Sequence, residues 1–115
     1  MNIYLITLLK SYFSDPRPFW TDSVIQSLSP YCPGEFGNPS GHSWFSAVAS
    51  FVILFEYAPH FSKLLGLTFV GLIIILVPIS RMYLGAHSLN QVVMGVLMGL
   101  SMNLLYFCCN LKELI

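Results

Sequence analysis

Residues 64–80, LLGLTFVGLIIILVPIS, and residues 88–111, SLNQVVMGVLMGLSMNLLYFCCNL, decide the fold, because neither stretch contains a charged side chain. A helix needs about 20 apolar residues to cross the hydrocarbon of a bilayer, and both stretches come close to that length. A third apolar run, residues 41–57, carries Glu56 and otherwise only the titratable His42. We therefore predict an all-α integral membrane bundle with membrane helices at 41–57, 64–80 and 88–111.

The composition of the 115-residue chain favours the same class of protein. Hydrophobic residues make up 56% of the chain and charged residues only 9%, whereas roughly a quarter of the residues are charged in a typical soluble domain. Five basic and five acidic residues balance to zero, so the bulk charge indicates no nucleic-acid partner. The three cysteines form no C-x-x-C pair, which argues against a disulfide scaffold or a cysteine zinc site.

The first ten residues are too short to form a further membrane helix. At ~1.5 Å per residue the apolar stretch 1–9 would span ~14 Å, about half of the ~30 Å hydrocarbon core. We interpret residues 1–10 as the end of a membrane helix whose beginning is absent. Residues 11–40 are predicted to form a loop at one membrane face, with a short helix around residues 22–29. The chain, 1–115, is then one N-terminally incomplete membrane domain.

Three clusters of polar residues fall at the same membrane face if the helices alternate in direction. They are Lys10 with Arg17-Pro18, then Pro39-Ser40-Gly41-His42, then Ser80-Arg81 with His87. Arginine and lysine are the side chains that bind phosphate oxygens most readily. With Asn38 as the N-cap and Pro39 at the first helical position, the following N–H groups would also be free to bind an anion. The clusters together predict a site for a dianionic phosphate.

The two histidines in these clusters supply groups for covalent catalysis. One histidine could attack phosphorus while the other protonates the departing oxygen, a route that divides hydrolysis into two easier steps. The acidic residues form no cluster of the kind that metal-dependent hydrolysis requires, so we expect neither a metal nor a cofactor. Ser88 and Gln91 fit a capping box, which would begin the last helix directly after His87.

These clusters resemble the signature of the type-2 phosphatidate phosphatase superfamily, which includes lipid phosphate phosphatases, glucose-6-phosphatase and the vanadium-dependent haloperoxidases. The signature reads K-x6-R-P, P-S-G-H and S-R-x5-H-x3-D, and the resemblance covers the chain from Lys10 to about Gly99. It implies a phosphate-binding set made of Lys10, Arg17, Ser40, Gly41 and Arg81. It also implies that His42 is the general acid and then base, and that His87 forms a phosphohistidine intermediate.

One position departs from this signature. Gln91 stands where the family has an aspartate that orients the nucleophilic histidine, and a neutral amide could orient His87 without stabilising its positive charge. The run from Arg81 to Val92 and the stretch Arg17–Trp20 are similar to glucose-6-phosphatase, which also tolerates glutamine at this position.

The resemblance also implies an architecture. Family members are bundles of about six helices, and the first part of the signature follows the third helix. The chain would then be the C-terminal part of such a bundle, with three full membrane helices and the end of a preceding one. Other membrane chains or the missing N-terminal helices would complete it.

We expect a metal-independent membrane phosphatase that hydrolyses phosphate monoesters. A lipid phosphate or diphosphate is the first candidate substrate and a sugar phosphate is the rival, so the expected partners are a membrane lipid and a phosphate ester. The alternative is a catalytically inactive phosphatase-like subunit that serves as a structural element of a larger complex. Gln91 and the missing helices favour that alternative, whereas the intact polar set opposes it. A haloperoxidase fits less well, because those relatives are soluble.

The positions of the remaining lysines bear on orientation in the membrane. Lys63 and Lys112 fall at the face opposite the polar clusters, and basic residues are enriched on the cytoplasmic side of membrane proteins. The face with the polar clusters carries three cations, Lys10, Arg17 and Arg81, which are left out of this count if they serve catalysis. On that condition we expect a multi-pass protein whose active face is luminal or extracellular. The sequence does not indicate the organelle.

Overall fold

The computed structural model describes residues 2–28, 34–57 and 62–109 of the chain. Within these ranges the chain forms helices and no strands, which confirms the predicted all-α class. The helices are α1 (Asn2–Phe13), α2 (Pro18–Thr21), α3 (Gly41–Tyr57), α4 (Lys63–Tyr83) and α5 (Leu89–Cys108). Lys112, and residues 110 and 111 at the end of the last predicted helix, lie outside the described residues.

Helices α4 and α5, of 21 and 20 residues, are long and apolar enough to cross a membrane. Helix α3 is shorter, with 17 residues. Ser62 caps α4, because its hydroxyl accepts a hydrogen bond from the Leu65 N–H at 3.2 Å. Beyond this cap, α4 turns large apolar side chains such as Leu64 and Ile75 outward, where both are more than half exposed. Such a surface suits lipid or further helices rather than water.

Helices α3 and α5 pack closely because small residues line their interface. A Cβ atom at Gly99 would lie 2.7 Å from both the Ala47 Cβ and the Trp44 carbonyl oxygen, and one at Gly95 would lie 2.5 Å from the Ser40 carbonyl oxygen. Only glycine therefore permits this approach at positions 95 and 99 of α5. Farther along α5, the Asn103 amide donates a hydrogen bond to the Ala47 carbonyl at 3.0 Å.

The turn between α4 and α5 depends on a glycine in the left-handed conformation. Gly85 has a φ of +69°, a conformation that glycine adopts at little cost. A Cβ atom there would also lie 2.6 Å from the Gln26 carbonyl oxygen. The Leu28 N–H donates to the Leu84 carbonyl at 3.0 Å, so the long loop packs against this turn. The end of α4 and the start of α5 are thus held beside the loop that follows α1.

Two local predictions are wrong. Helix α3 is capped by Ser40 and not by Asn38, because the Ser40 carbonyl accepts from the Trp44 N–H at 3.0 Å and its hydroxyl accepts from the Ser43 N–H at 3.5 Å. The short helix expected around residues 22–29 is instead α2, in which Pro18 occupies the first turn after an extended Arg17. Proline is favoured there because its fixed φ suits a helix start.

Candidate active site

The polar residues singled out by the sequence converge on a cavity of about 700 Å³. It lies where the end of α1, the start of α3, the end of α4 and the turn before α5 meet. The predicted site residues that line it are Lys10, Arg17, Gly41, His42, Arg81 and His87. Apolar side chains complete the wall, among them Ile6, Phe45 and Val77. The cavity therefore combines cations with an apolar wall, which suits a phosphate attached to an apolar group.

Arg17 is the fixed centre of this cavity. Its Nε donates to the Glu35 carbonyl at 2.9 Å, and its Nη1 donates to the Ala86 carbonyl at 3.0 Å. These main-chain acceptors lie in the loop before α3 and in the turn before α5, so one buried guanidinium joins the two segments. The guanidinium carries five N–H protons, and beyond the two carbonyls its Nη1 also faces His87 Nε2 and its Nη2 faces the Glu35 carboxylate, both at 3.4 Å.

His87 is buried, with 4% of its surface exposed, and its Nε2 lies 3.4 Å from Arg17 Nη1. Since a guanidinium can only donate, we assign the lone pair to Nε2 and the proton to Nδ1. Nδ1 finds no hydrogen-bond acceptor within the described part of the chain. Burial, together with repulsion from Arg17 and Arg81, lowers the pKa of His87 to about 4. The imidazole is therefore neutral at physiological pH, with its lone pair beside the cations.

The charge of the cavity is positive. Three cations face it, Lys10 in the last turn of α1, Arg81 in the last turn of α4, and Arg17. Among the described residues one carboxylate lines it as well, that of Glu35. The Nε of Arg81 is buried and has no hydrogen-bond partner among the described residues, so this side chain keeps donor capacity for a ligand. His42, in the first turn of α3, is exposed to the same cavity. The three cations can together bind a doubly negative group next to two histidines, the neutral His87 and the exposed His42.

Gln91 lies beside this set, but its amide bonds to other residues than His87. Its Nε2 donates to the Asp15 carboxylate at 3.0 Å and to the Pro16 carbonyl at 2.8 Å. Its Oε1 accepts from the Ser88 N–H at 3.2 Å, which completes the predicted capping box. The described contacts include no hydrogen bond between Gln91 and His87, yet the Gln91 side chain acts on the histidine directly, because it raises the pKa of His87 against the larger lowering by burial.

Ser40 also takes a different place from the one expected. The serine is fully buried and is not among the residues that line the cavity. Its N–H was expected to be free for an anion but donates to the Gln91 carbonyl at 3.0 Å. Ser40 therefore fixes α3 against α5 and supports Gly41 and His42, which do reach the cavity.

The sequence analysis missed Glu35 as a member of the site. Its carboxylate accepts from the Lys10 ammonium and lies 3.4 Å from Arg17 Nη2. We considered the acidic residues only as metal ligands, and Glu35 has no acidic neighbour in the sequence. The signal that could have found it is electrostatic, because buried cations need a counter-charge, and Glu35 lies in the loop that leads into Pro39–His42.

Comparison with known proteins agrees with this geometry. A sequence model described as the PAP2 superfamily matches residues 1–114. The chain is 35% identical over 105 residues to phosphatidylglycerophosphatase B of Bacillus subtilis (strain 168), in an alignment that covers 87% of the chain and 47% of that relative. The chain thus spans about half the length of the curated relative that it matches. No solved structure gives a significant match.

Proposed function

The chain belongs to the PAP2 superfamily, and from that premise we propose that it hydrolyses phosphate monoesters carried by membrane lipids. The observation that carries this proposal is the 3.4 Å contact between His87 Nε2 and Arg17 Nη1, in which a neutral nucleophile lies beside a phosphate-binding cation. The name of the Bacillus subtilis relative makes phosphatidylglycerophosphate the first substrate to test. A sugar phosphate is the rival substrate.

The proposed reaction has two steps. His87 Nε2 attacks phosphorus and the ester P–O bond breaks, while His42, initially protonated, gives its proton to the departing oxygen. Water then attacks the phosphohistidine, His42 takes the proton of that water, and the P–N bond breaks to release inorganic phosphate and neutral His87. Lys10, Arg17 and Arg81 stabilise the charge on the phosphoryl oxygens in both steps.

No metal or cofactor enters this scheme. Three side-chain cations stabilise the charge that develops on the transferred phosphoryl group. The leaving group is stabilised by a proton and not by coordination to a Lewis acid. Gln91 has no chemical step in the proposal. It acts as a positioning residue, because the capping box that it forms with Ser88 begins α5 directly after His87.

In this proposal α3, α4 and α5 cross the membrane, and the cavity opens at the luminal or extracellular face. The outward apolar side chains of α4 and α5 would then contact lipid or further membrane helices. Cys108 and Cys109 are exposed at the end of α5 away from the cavity. In a Cys32→Ser protein, a membrane-impermeant maleimide should therefore label them only from the cytoplasmic side. Labelling from outside intact cells would contradict this orientation.

The proposed function is tested by phosphate release in EDTA. Release from phosphatidylglycerophosphate, phosphatidate and glucose 6-phosphate is measured with the protein in its native membrane. His87→Ala is tested beside the control Asn90→Ala, at an exposed position in the first turn of α5. We expect release from the lipids that His87→Ala loses and Asn90→Ala retains. Release that needs magnesium or survives His87→Ala would contradict the mechanism. No release from any substrate would favour the inactive, structural subunit.

A further inference from the structure

Glu35 occupies the position where a phosphate would meet the cations. One oxygen of its carboxylate accepts from Lys10 Nζ and lies 3.4 Å from Arg17 Nη2. The two cationic side chains are almost fully buried, at 9% and 3% exposed, whereas the Glu35 side chain is 58% exposed. The carboxylate therefore reaches in from solvent and covers the positive floor of the cavity.

The donors that Glu35 uses are the ones that a phosphate needs. Arg17 has already committed its Nε and one Nη1 proton to main-chain carbonyls, and its other Nη1 proton faces His87 Nε2, so Nη2 is what it can offer. Nη2 is directed at Glu35, and the Lys10 ammonium bonds to the same carboxylate oxygen. A phosphoryl group beside His87 Nε2 would require these same protons, and its negative charge would repel the carboxylate.

The loop allows the carboxylate to leave. Glu35 follows Gly34, where a Cβ atom would meet no other described residue within 4 Å, and the Glu35 side chain is mostly in solvent. The main-chain carbonyl of Glu35 holds Arg17 Nε at 2.9 Å, and this bond does not depend on the side chain. Withdrawal of the carboxylate would therefore break two ion-pair contacts without disturbing the anchor of the loop on Arg17.

Resting on the proposed function of this cavity, we propose that Glu35 is a built-in competitor for phosphate. Its carboxylate neutralises Lys10 and Arg17 while the site is empty, and it must be displaced when a phosphate group enters. The competition weakens the binding of free inorganic phosphate, whose affinity depends on these contacts alone. A lipid substrate also gains from apolar contacts at the cavity wall. Glu35 thus disfavours the retention of the product more than the capture of the substrate.

The test is direct titration of the purified full chain with inorganic phosphate. Glu35→Gln keeps the shape of the side chain and removes its charge, so phosphate should bind roughly threefold to tenfold more tightly, as expected when one competing ion pair is lost. Asp22→Asn, an exposed carboxylate-to-amide change outside the cavity, should match the wild type. Arg17→Ala should abolish phosphate binding in both backgrounds, which would locate the anion.

Stability gives a second readout. Without the Glu35 carboxylate, Lys10 and Arg17 repel each other in the empty cavity. Glu35→Gln should therefore unfold at a lower temperature than the wild type in phosphate-free buffer, and added phosphate should raise its unfolding temperature by more. If Glu35→Gln fails to fold, Glu35→Asp replaces it, because its shorter side chain cannot reach both cations. Its phosphate affinity should then rise by a smaller factor.

Unchanged or weaker phosphate binding by the Glu35 variants would overturn the proposal. The outcome is separable from the proposed function, since the titration requires no turnover. If the wild type hydrolyses lipid phosphates but the Glu35 variants bind phosphate with the same affinity as the wild type, the proposed function stands and the role of Glu35 is wrong. If the Glu35 variants bind phosphate more tightly but the wild type hydrolyses no substrate, the role of Glu35 stands and the proposed function is wrong.

Discussion

The Gln91 amide donates a hydrogen bond to the Asp15 carboxylate at 3.0 Å, across 76 positions of sequence. The same nitrogen donates to the Pro16 carbonyl at 2.8 Å. Both partners can only accept, so position 91 requires a donor in this chain. An aspartate at position 91, as in the family signature, would place carboxylate oxygens against the Asp15 carboxylate and the Pro16 carbonyl, and none of these groups can donate. The glutamine is therefore matched to the loop after α1.

Gln91→Glu should be strongly destabilising. The change removes both donated hydrogen bonds and buries a carboxylate beside that of Asp15, so we expect a loss of about 3–5 kcal/mol in the free energy of unfolding. Activity should fall as well, because the start of α5 directly follows His87. Asn90→Asp makes the same amide-to-carboxylate change at an exposed neighbour, and it should alter stability by less than about 0.5 kcal/mol. Thermal unfolding in detergent compares the two, and equal stabilities would refute the donor requirement.

Gly34 and Gly37 test how closely the loop before α3 packs against the Gln91 side chain. A Cβ atom at Gly37 would overlap the Gln91 side chain, whereas one at Gly34 meets nothing within 4 Å in the part of the chain that the structure describes. Gly37→Ala should therefore cost about 1–3 kcal/mol through overpacking. Gly34→Ala should be neutral or stabilise by up to about 1 kcal/mol, since alanine restricts the unfolded chain. Unfolding temperatures that rank the two variants in the opposite order would contradict the contact.

The interface between α3 and α5 can be tested in the same way. Gly99→Ala would place a Cβ atom 2.7 Å from the Trp44 carbonyl oxygen, whereas a Cβ atom at Gly71 of α4 meets nothing within 4 Å. We expect Gly99→Ala to destabilise the chain by about 1–3 kcal/mol and to lower activity, because α3 carries His42 and α5 follows His87. Gly71→Ala should be neutral or slightly stabilising, since alanine favours helix. Comparable losses in the two variants would show that the helices do not approach so closely.

The low pKa of His87 predicts a particular dependence of stability on pH. Because the folded pKa is about 4, below the ordinary value of about 6.5, the unfolded chain binds more protons between these values. The free energy of unfolding should therefore fall as the pH is lowered from about 6.5 to 4, with His87 contributing on the order of 3 kcal/mol. His87→Gln should lose this part of the slope. Histidine NMR shifts supply the direct check, and a midpoint near 6.5 would contradict the buried, neutral state.

Much of the fold was accessible from local patterns in the sequence. The uncharged runs predicted α4 and α5, and the spacing of Ser88 and Gln91 predicted the capping box. Each of these signals is contained within a few turns of one helix. Local sequence is sufficient in such cases, because the backbone hydrogen bonds and the apolar surface belong to the same segment.

The features that the sequence did not predict depend on contacts between distant segments. Asn38 and Ser40 are both good N-caps by residue type, and the hydrogen bond from the Ser40 N–H to the Gln91 carbonyl helps decide between them. Glu35 joins the site only because the loop brings it against Lys10, 25 positions away. The partners of Gln91 are farther still. No spacing rule covers such pairs.

The central claim is that His87 carries the phosphoryl group, and trapping that intermediate tests it most directly. The full chain in its native membrane is given a ³²P-labelled lipid phosphate in EDTA, denatured in alkali, which preserves phosphohistidine, and digested to locate the label. We predict label on His87 in the wild type, and neither label nor phosphate release in His87→Ala. Phosphate release without a labelled histidine, or release that persists in His87→Ala, would contradict the account.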